Sequence, residues 1–434
     1  MAYPHIPNYN SILEYITEYA KLKYEYGSNG AQEILQGLEK SMEDSLKKLK
    51  ELPIDEKMAV NEPDDIFEIR KLRAEGPRKM VGSLDLEIYQ EKLEGAMLAR
   101  FAGCILGAIV GFWPVDSMEK WAAYIGDQFP PVDYWSKISN PNILRYEKSA
   151  CVEYTRDSMN GVPVDDDITY TLLGLLIAED YGISFTTEDV GKAWLKYLPC
   201  ACTAEHVALD NLKKGIAALE AADVENPYCQ WIGADIRSDS WAYIAPAYPE
   251  KAAEMAYRDA YLSHRRNGIY GEMFFSATQA AAFAVDNSID AIIIGLTEIP
   301  KCCALHKDIE WALEVGKTIT NYKEARIAVD ERFEGMSGVH TNLNACLTVF
   351  GLMIGGTDVT RVISETVAMG QDNDCTAATA GSIVGAIVGK VGVPKHWYKN
   401  FNNTVNSYMI DKEKFQIDDL VERFTKQAKR CGMI

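Results

Sequence analysis

Glycines recur at every fourth position in two apolar stretches of this chain. FAGCILGAIVG contains Gly103, Gly107 and Gly111, and GSIVGAIVG contains Gly381, Gly385 and Gly389. A four-residue spacing brings residues onto one face of an α-helix. Each glycine costs about 1 kcal/mol of helix propensity relative to alanine, which close approach of another helix backbone can offset. The pattern therefore predicts a tight central layer of helices.

Most of the remaining chain also has helical periodicity. Apolar residues recur at three- and four-residue intervals in ILEYITEYAKLKYEYG and GAQEILQGLEKSMEDSLKKLKEL, whereas extended alternating patterns are hard to find. A charged connector with two prolines, MAVNEPDDIFEIRKLRAEGPRK, follows these helices. We therefore predict an all-α protein with an N-terminal helical extension at residues 1–90 and a main helical domain at residues 91–434.

The composition argues against several classes of function. A formal net charge of -19 over 434 residues is unfavourable for nucleic acid and for an anionic membrane surface. No secretory signal is visible, and the longest apolar runs are shorter than the roughly 20 residues of a membrane-spanning helix. We expect a cytoplasmic protein with no nucleic-acid or membrane partner. Its 10 cysteines match no common zinc spacing, and we interpret them as reduced, buried small hydrophobes.

Two acidic clusters stand where apolar helices are predicted to begin. Asp165, Asp166 and Asp167 precede ITYTLLGLLIA, and Asp372 and Asp374 precede CTAATAGSIVG. Helix capping is one explanation, but it requires a single carboxylate. Like charges near a core need cations or raised pKa values, and oxygen ligands suit hard ions such as Mg²⁺ or Mn²⁺. Two clusters that face one another would form a two-metal site.

Three motifs, in this order, resemble those of the ADP-ribosylglycohydrolase family, which includes dinitrogen reductase–activating glycohydrolase. They are GCILG at 103–107, DDDITYTLLGL at 165–175 and GQDNDCTAATAG at 370–381. The resemblance implies an orthogonal helical bundle and a hydrolase that cleaves a ribosyl glycosidic bond, in ADP-ribosylated protein or a related ADP-ribosyl or ribosyl compound. It assigns two divalent cations, Mg²⁺ or Mn²⁺, to Asp165, Asp166, Asp167, Asp372, Asp374 and Cys375. Position 375 often carries a hydroxyl residue in the family.

The resemblance also implies a catalytic glutamate shortly after the GCILG helix. One register places Glu119 in that role, whereas a tighter register places Gly111 there and leaves no glutamate. Asp116 is a third candidate. We take Glu119, together with Asp374, as the predicted catalytic residues.

Substrate-binding residues follow from three further stretches. SHRRNG is similar to a loop that touches the substrate in relatives, which assigns His264 and Arg265 to substrate; solvated basic residues are the alternative. His340 opens another helix, in HTNLNA, and Asp235, in GADIRSDSW, falls where relatives line the ribose pocket.

Two other functions fit the same residues. A non-catalytic member of the fold would bind ADP-ribose or a nucleotide without cleaving it, because fold does not fix function. A metal-dependent phosphohydrolase acting on nucleotides would use the same carboxylates. The products distinguish the three hypotheses: a free ribose-containing product, no product, or phosphate.

Overall fold

The computed structural model describes residues 3–137 and 152–434. The chain divides into two compact units, Met1–Val60 and Asn61–Ile434. The α-helices of the described residues are α1 (Tyr9–Glu25), α2 (Ala31–Lys50), α3 (Glu56–Asn61), α4 (Ile66–Leu72), α5 (Leu86–Ala108), α6 (Val115–Ile125), α7 (Asp166–Tyr181), α8 (Thr187–Tyr197), α9 (Thr203–Lys213), α10 (Asp239–Ile244), α11 (Pro249–Ala260), α12 (Asn267–Ala282), α13 (Ser288–Leu296), α14 (Ala304–Val315), α15 (Tyr322–Arg332), α16 (Thr341–Gly355), α17 (Val359–Ala368), α18 (Asn373–Gly392) and α19 (Ile417–Arg430). Short 3-10 helices span Val152–Tyr154, Ile232–Arg237 and Lys395–Trp397.

The prediction of an all-α fold is confirmed. The sheet structure among the described residues is one antiparallel hairpin of β1 (Thr404–Asn406) and β2 (Lys414–Gln416), in which Val405 lies opposite Phe415. Alternating apolar residues were hard to find in the sequence for this reason: three-residue strands leave almost no period-2 pattern.

The first unit is an exposed helical hairpin. The Asn8 side chain accepts a hydrogen bond from the Ser11 amide at 3.1 Å and so caps α1. No residue of α1 or α2 is buried, and apolar side chains such as Tyr15, Ile34 and Leu49 are exposed. Residues 3–60 of the first unit therefore contribute no buried core of their own.

Helices α5 and α18 form the centre of the second unit, and glycines bring their backbones together. A β-carbon added at Gly103 would overlap the carbonyl group of Ala377, and one added at Gly385 would overlap the backbone of Gly95. Close packing is confirmed at these positions and at Gly381, which lies against Ala99. The contact is possible because glycine lacks the atoms that would keep two helix axes apart.

Both glycine ladders are shorter than the sequence predicted. Helix α5 ends at Ala108, so Gly111 lies beyond the helix and faces open space. Gly389 interrupts α18 with a φ of 69°, a left-handed conformation that glycine adopts without a steric penalty. The four-residue spacing therefore continues past the end of α5 at Gly111, whereas the backbone of Gly389 still lies against Gly95 of α5.

The segment that follows Asn61 packs on the second unit. Glu62 is only 5% exposed, and its carboxylate accepts hydrogen bonds from the Ala304 amide and from the Asn267 side chain. Farther along, Arg73 bonds to Glu298 at 2.6 Å. The compact unit thus begins at Asn61, and the domain division at residues 90 and 91 stays a prediction.

Helix α18 is long and apolar enough, by length and composition, to cross a membrane. It spans Asn373–Gly392, and 72% of its most apolar window is buried inside the protein. Its apolar residues are explained by the contact with α5, since a core helix has the same composition as a membrane span.

Candidate functional site

The first acidic cluster lies at the start of α7. Asp165 is the N-cap and accepts a hydrogen bond from the Asp167 amide at 3.0 Å, so one carboxylate of the three does cap the helix. Arg100, which is fully buried on α5, donates to the backbone carbonyl of Asp167 at 2.6 Å and to the Thr171 hydroxyl at 2.9 Å. Arg100 of helix α5 thus holds the first turn of α7 in place, and these hydrogen bonds do not use the Asp167 carboxylate.

The second acidic cluster lies at the start of α18. Asp372 occupies the N-cap position without making a side-chain capping bond, and Asn373 donates to the Val367 carbonyl at 2.9 Å. A β-carbon at Gly107 would overlap the backbone of Asp374. The last turn of α5 therefore lies directly against this cluster, which explains why glycine is needed there.

The structure brings the two clusters together at Asp167. Asp167, Asp374 and Cys375 offer ligand atoms that all lie within 4.8 Å of one another, and a second such group comprises Cys104, Asp165 and Asp167. Asp166 and Asp372 line the same cavity as Asp167 and Asp374. All six residues predicted to bind metal are thus at or beside one centre.

The electrostatics of this centre favour a cation. Burial, followed by repulsion from Asp374, raises the pKa of Asp165, Asp167 and Asp372 well above the usual carboxyl range. Arg100 approaches Asp167 Oδ1 only to 3.9 Å, beyond hydrogen-bonding distance. The Oδ1 atoms of Asp167 and Asp374 accept no hydrogen bond from the residues that the structure describes. Unsatisfied carboxylate oxygens in a buried acidic cluster fit a divalent cation.

A cavity of about 210 Å³ opens onto these carboxylates. Aromatic and apolar side chains form much of its wall, and one further acid, Glu205, lies among them. The lining residues are Phe112, Asp166, Asp167, Tyr170, Cys202, Thr203, Glu205, Trp231, Ile232, Gly233, Ile236, Val339, Asp372, Asp374 and Cys375.

Backbone strain concentrates around this cavity. Phe112 and Thr203 line it with φ values of 60° and 45°, and Gln371, next to Asp372, has a φ of 63°. The Phe112 amide donates to the Gln371 carbonyl at 2.9 Å, which ties two of these residues together. Left-handed conformations of residues other than glycine cost on the order of 1–3 kcal/mol and cluster at functional sites.

A sequence model of the ADP-ribosylglycohydrolase family matches residues 85–431. This chain belongs to the ADP-ribosylglycohydrolase family. Among solved structures, its fold is similar to that of an ADP-ribosylglycohydrolase-related protein complex, with a TM-score of 0.54 and 15% identity over 79% of this chain and 99% of that chain. At this identity the likeness shows the fold alone. No curated protein sequence matches the chain.

Glu205 is the functional candidate that the sequence analysis missed. It lies in the first turn of α9, is 2% exposed and lines the cavity. Burial raises the pKa of its carboxyl group to about 7, although Arg237 opposes the shift. Its sequence context, CTAEHVALD, contains no motif that marks it. Two features of the sequence could have pointed to Glu205: a glutamate stands near a helix start, and Thr203 lies two residues before it. Both features are too common in proteins to mark a functional site.

The structure does not bring Glu119 to the cavity of this family member. Glu119 lies on α6 and accepts hydrogen bonds from the Tyr322 hydroxyl at 2.7 Å and from Lys323 Nζ at 2.8 Å. Asp116 is exposed and pairs with Lys120 at 2.7 Å. The turn after α5 instead directs Phe112 at the cavity. A catalytic role for Glu119 stays a prediction that this placement does not support.

The predicted substrate residues have diverse environments, and none of them lines the cavity. His264 is fully buried beside Ser263, with Nδ1 2.8 Å from the Ser263 hydroxyl. Asp235 is 1% exposed, lies against Gly271, and makes no hydrogen bond with its carboxylate oxygens. His340 caps α16 and directly follows Val339, a cavity residue. Burial lowers the pKa of His340 to about 4.

Arg265 is engaged entirely within the protein. Its guanidinium makes two bonds to the Asp223 carboxylate, each 2.9 Å, and donates to the carbonyls of Tyr261, His264 and Leu219. These bonds use all five N–H donors of an arginine. The predicted contact between Arg265 and a pyrophosphate would need one of these bonds to break.

Proposed function

We propose that this protein hydrolyses a ribosyl glycosidic bond, in ADP-ribosylated protein or in a related ADP-ribosyl or ribosyl compound. The observation that carries the proposal is the convergence of Asp167 and Asp374 at the base of a cavity that also holds Glu205. Membership of the ADP-ribosylglycohydrolase family supports the same class of reaction.

The aspartates at the starts of α7 and α18 would hold two divalent cations. Cations bound there would supply Lewis-acid chemistry to the ribose and to the attacking water. The protein's own contribution is rigidity: Arg100 and the Gly107 contact fix the two helix ends before any ligand arrives. Sequence analysis assigned these ions as Mg²⁺ or Mn²⁺ on the basis of oxygen ligands.

Glu205 is placed to exchange a proton with the substrate. Its Oε1 atom makes no hydrogen bond to the described part of the chain and lies 3.5 Å from Arg237 Nη1. A carboxyl group with a pKa of about 7 holds a proton for part of the time at neutral pH. We assign Glu205 as the general acid that protonates the leaving group, which glycoside cleavage through an oxocarbenium-like state requires.

The walls of the cavity would accommodate a nucleotide-like substrate. Phe112 and Trp231 offer aromatic surfaces for a flat ring, and the Tyr170 hydroxyl has no hydrogen-bond partner among residues 3–137 and 152–434. Among the predicted substrate residues, His340 and Asp235 each stand next in sequence to a lining residue, Val339 and Ile236 respectively. We also propose a cytoplasmic location, because the described cysteines are all free thiols.

The test is incubation with a panel of ADP-ribosylated proteins and small ADP-ribosyl compounds, with added divalent cation and with chelator. We expect a free ribose-containing product that chelator abolishes and that Asp372→Ala reduces to background. The matched control is Asp44→Ala, which removes an exposed aspartate of α2.

Other outcomes would select another function. ADP-ribose binding without turnover on any substrate would favour a binding protein. Release of phosphate from nucleotides would favour a phosphohydrolase. Full activity of Asp372→Ala in chelator would refute the metal-dependent proposal.

A further inference from the structure

Sulphur atoms lie at both acidic clusters. Cys375 Sγ is 3.1 Å from Asp167 Oδ2, and Cys104 forms a group with Asp165 and Asp167 whose ligand atoms lie within 4.8 Å of one another. Cys375 is 7% exposed and Cys104 is not exposed at all. The two cysteines are 271 residues apart in the sequence, so they do not form a short metal-binding motif.

Asp167 connects the two sulphur-containing groups. Its Oδ2 atom contacts Cys375, whereas its Oδ1 atom accepts no hydrogen bond from any described residue although Asp167 is 1% exposed. A cation bound by Asp167 and Asp374 would therefore have the Cys375 sulphur within the same ligand group. A cation bound by Asp165 and Asp167 would likewise have the Cys104 sulphur.

Donor type decides which ion such groups prefer. Carboxylate oxygens alone suit Mg²⁺ and Mn²⁺, but thiolates select softer ions, and Zn²⁺ accepts both sulphur and carboxylate ligands. Mg²⁺ demands oxygen ligands in a near-ideal octahedron, which a sulphur disrupts.

We propose that Cys104 and Cys375 each supply one sulphur ligand to this centre, so that it binds Zn²⁺ or another thiophilic divalent ion in preference to Mg²⁺. On binding, each S–H proton passes to solvent as the metal–sulphur bond forms, and no electron is transferred. The inference rests on the metal site of the proposed function and specifies which divalent cation that site prefers.

The first measurement uses the unaltered protein. After removal of metal with chelator, it is titrated with Zn²⁺, Co²⁺ and Mg²⁺ by calorimetry, and the Zn²⁺ form is examined by X-ray absorption. We expect Zn²⁺ to bind at least about 100-fold more tightly than Mg²⁺, with sulphur at about 2.3 Å from zinc. We expect the Co²⁺ form to show a thiolate-to-metal charge-transfer band.

The second measurement compares variants. Cys375→Ser, which replaces sulphur with oxygen, should weaken Zn²⁺ binding by roughly 10–100-fold or more and reduce the Co²⁺ band. Cys104→Ala should reduce the remaining band. Cys431→Ser is the control, because Cys431 lies beyond α19 and outside both ligand groups.

Each result decides the inference separately from the proposed function. An oxygen-only shell around zinc, a Co²⁺ spectrum without the band, or an unchanged Zn²⁺ to Mg²⁺ preference in Cys375→Ser would overturn it. Since the X-ray absorption result comes from the unaltered protein, a variant that fails to fold does not remove the test. Sulphur-ligated zinc in a protein without ribosyl hydrolysis would refute the proposed function and support this inference.

Discussion

Helices α6 and α9 each place one glutamate beside a positively charged side chain, yet the pKa values of the two carboxyl groups are shifted in opposite directions. Glu119 on α6 bonds to Lys323 and to Tyr322, and these bonds lower the pKa of its carboxyl group. Glu205 on α9 is 2% exposed, and burial raises its pKa to about 7. The first group is stabilised as an anion near the surface, whereas the second can exchange a proton inside the cavity.

The difference arises from the number of carboxylates that share the neighbouring positively charged side chain. Lys323 lies 2.8 Å from Glu119. Arg237 must serve three buried carboxylates: Asp259 at 2.7 Å, Glu272 at 3.3 Å and Glu205 at 3.5 Å. Glu205 has the longest contact of the three and therefore gains the least from Arg237. Desolvation dominates its pKa for that reason.

The largest expected effect is on turnover. Glu205→Gln should lower the turnover number by roughly 10²–10⁴-fold, because glutamine cannot donate the proton that the leaving group needs. Glu119→Gln should change it less than about threefold. Both variants are assayed at saturating metal on whichever ribosyl substrate the unaltered protein cleaves.

Two controls are needed to interpret that result. Glu220→Gln, an exposed glutamate on a neighbouring loop, provides the control for substitution itself. Glu205→Gln should still bind metal to saturation, which separates loss of the acid from loss of the cation. If Glu119→Gln is the inactive variant, the assignment made from the sequence is right and ours is wrong.

The next effect is on stability without metal. The pKa of Glu205 rises from 4.5 when unfolded to about 7 when folded, so its carboxyl group destabilises the fold once it is ionised. This penalty is absent below pH 4.5 and grows as pH rises to about 7. Glu205→Gln should therefore be more stable than the parent at pH 8, by up to about 3 kcal/mol, and by less than about 1 kcal/mol at pH 5.

Urea denaturation in the presence of chelator measures this difference. The comparison is between variant and parent at each pH, because ionisation of the buried aspartates also makes the stability of both proteins depend on pH. A variant that is destabilised equally at pH 5 and pH 8 would show that Glu205 is held by its contacts and that burial does not dominate.

A smaller effect concerns the pH dependence of activity. A general acid must be protonated, so kcat/KM should fall as pH rises through the pKa of Glu205, by about tenfold for each pH unit above it. Repulsion from Asp166 contributes to the value of about 7, and bound cations remove that contribution. The descending limb should thus lie at or below pH 7 and should be absent from the residual activity of Glu205→Gln.

The helical class and the acidic clusters were predictable from the sequence because both are local. Glycine spacing predicted a tight central layer of helices, which the structure shows to be the α5–α18 contact, and an excess of carboxylates at two helix starts pointed to Asp167 and Asp374. The exact ends of the glycine ladders were wrong at Gly111, since a short repeat carries no signal for where a helix stops.

The remaining site residues depend on contacts between distant segments. Glu205 acquires its properties from burial against the Ile232–Arg237 helix, and Cys104 reaches Asp165 only through the packing of α5 on α7. No spacing in one sequence encodes those distances. Arg265 shows the converse: its motif indicated a ligand contact, but Asp223 and three carbonyls occupy its donors.

The smallest expected effect is the stability of Glu119→Gln, which should have the opposite sign to that of Glu205→Gln. The folded pKa of Glu119 lies below 4.5 because of Lys323 and Tyr322, so its charge stabilises the fold above pH 4.5 and that stability is lost as pH falls through the folded pKa. The side chain is 34% exposed, and solvent screens the pair. We therefore expect Glu119→Gln to destabilise the protein by less than about 1 kcal/mol at pH 7, with no change between pH 6 and 8 and a smaller effect in 1 M salt. Urea denaturation at two salt concentrations measures it. A stabilised variant, or a loss of several kcal/mol that salt does not reduce, would show that Glu119 lies in an environment like that of Glu205, and the contrast between the two helices would no longer hold.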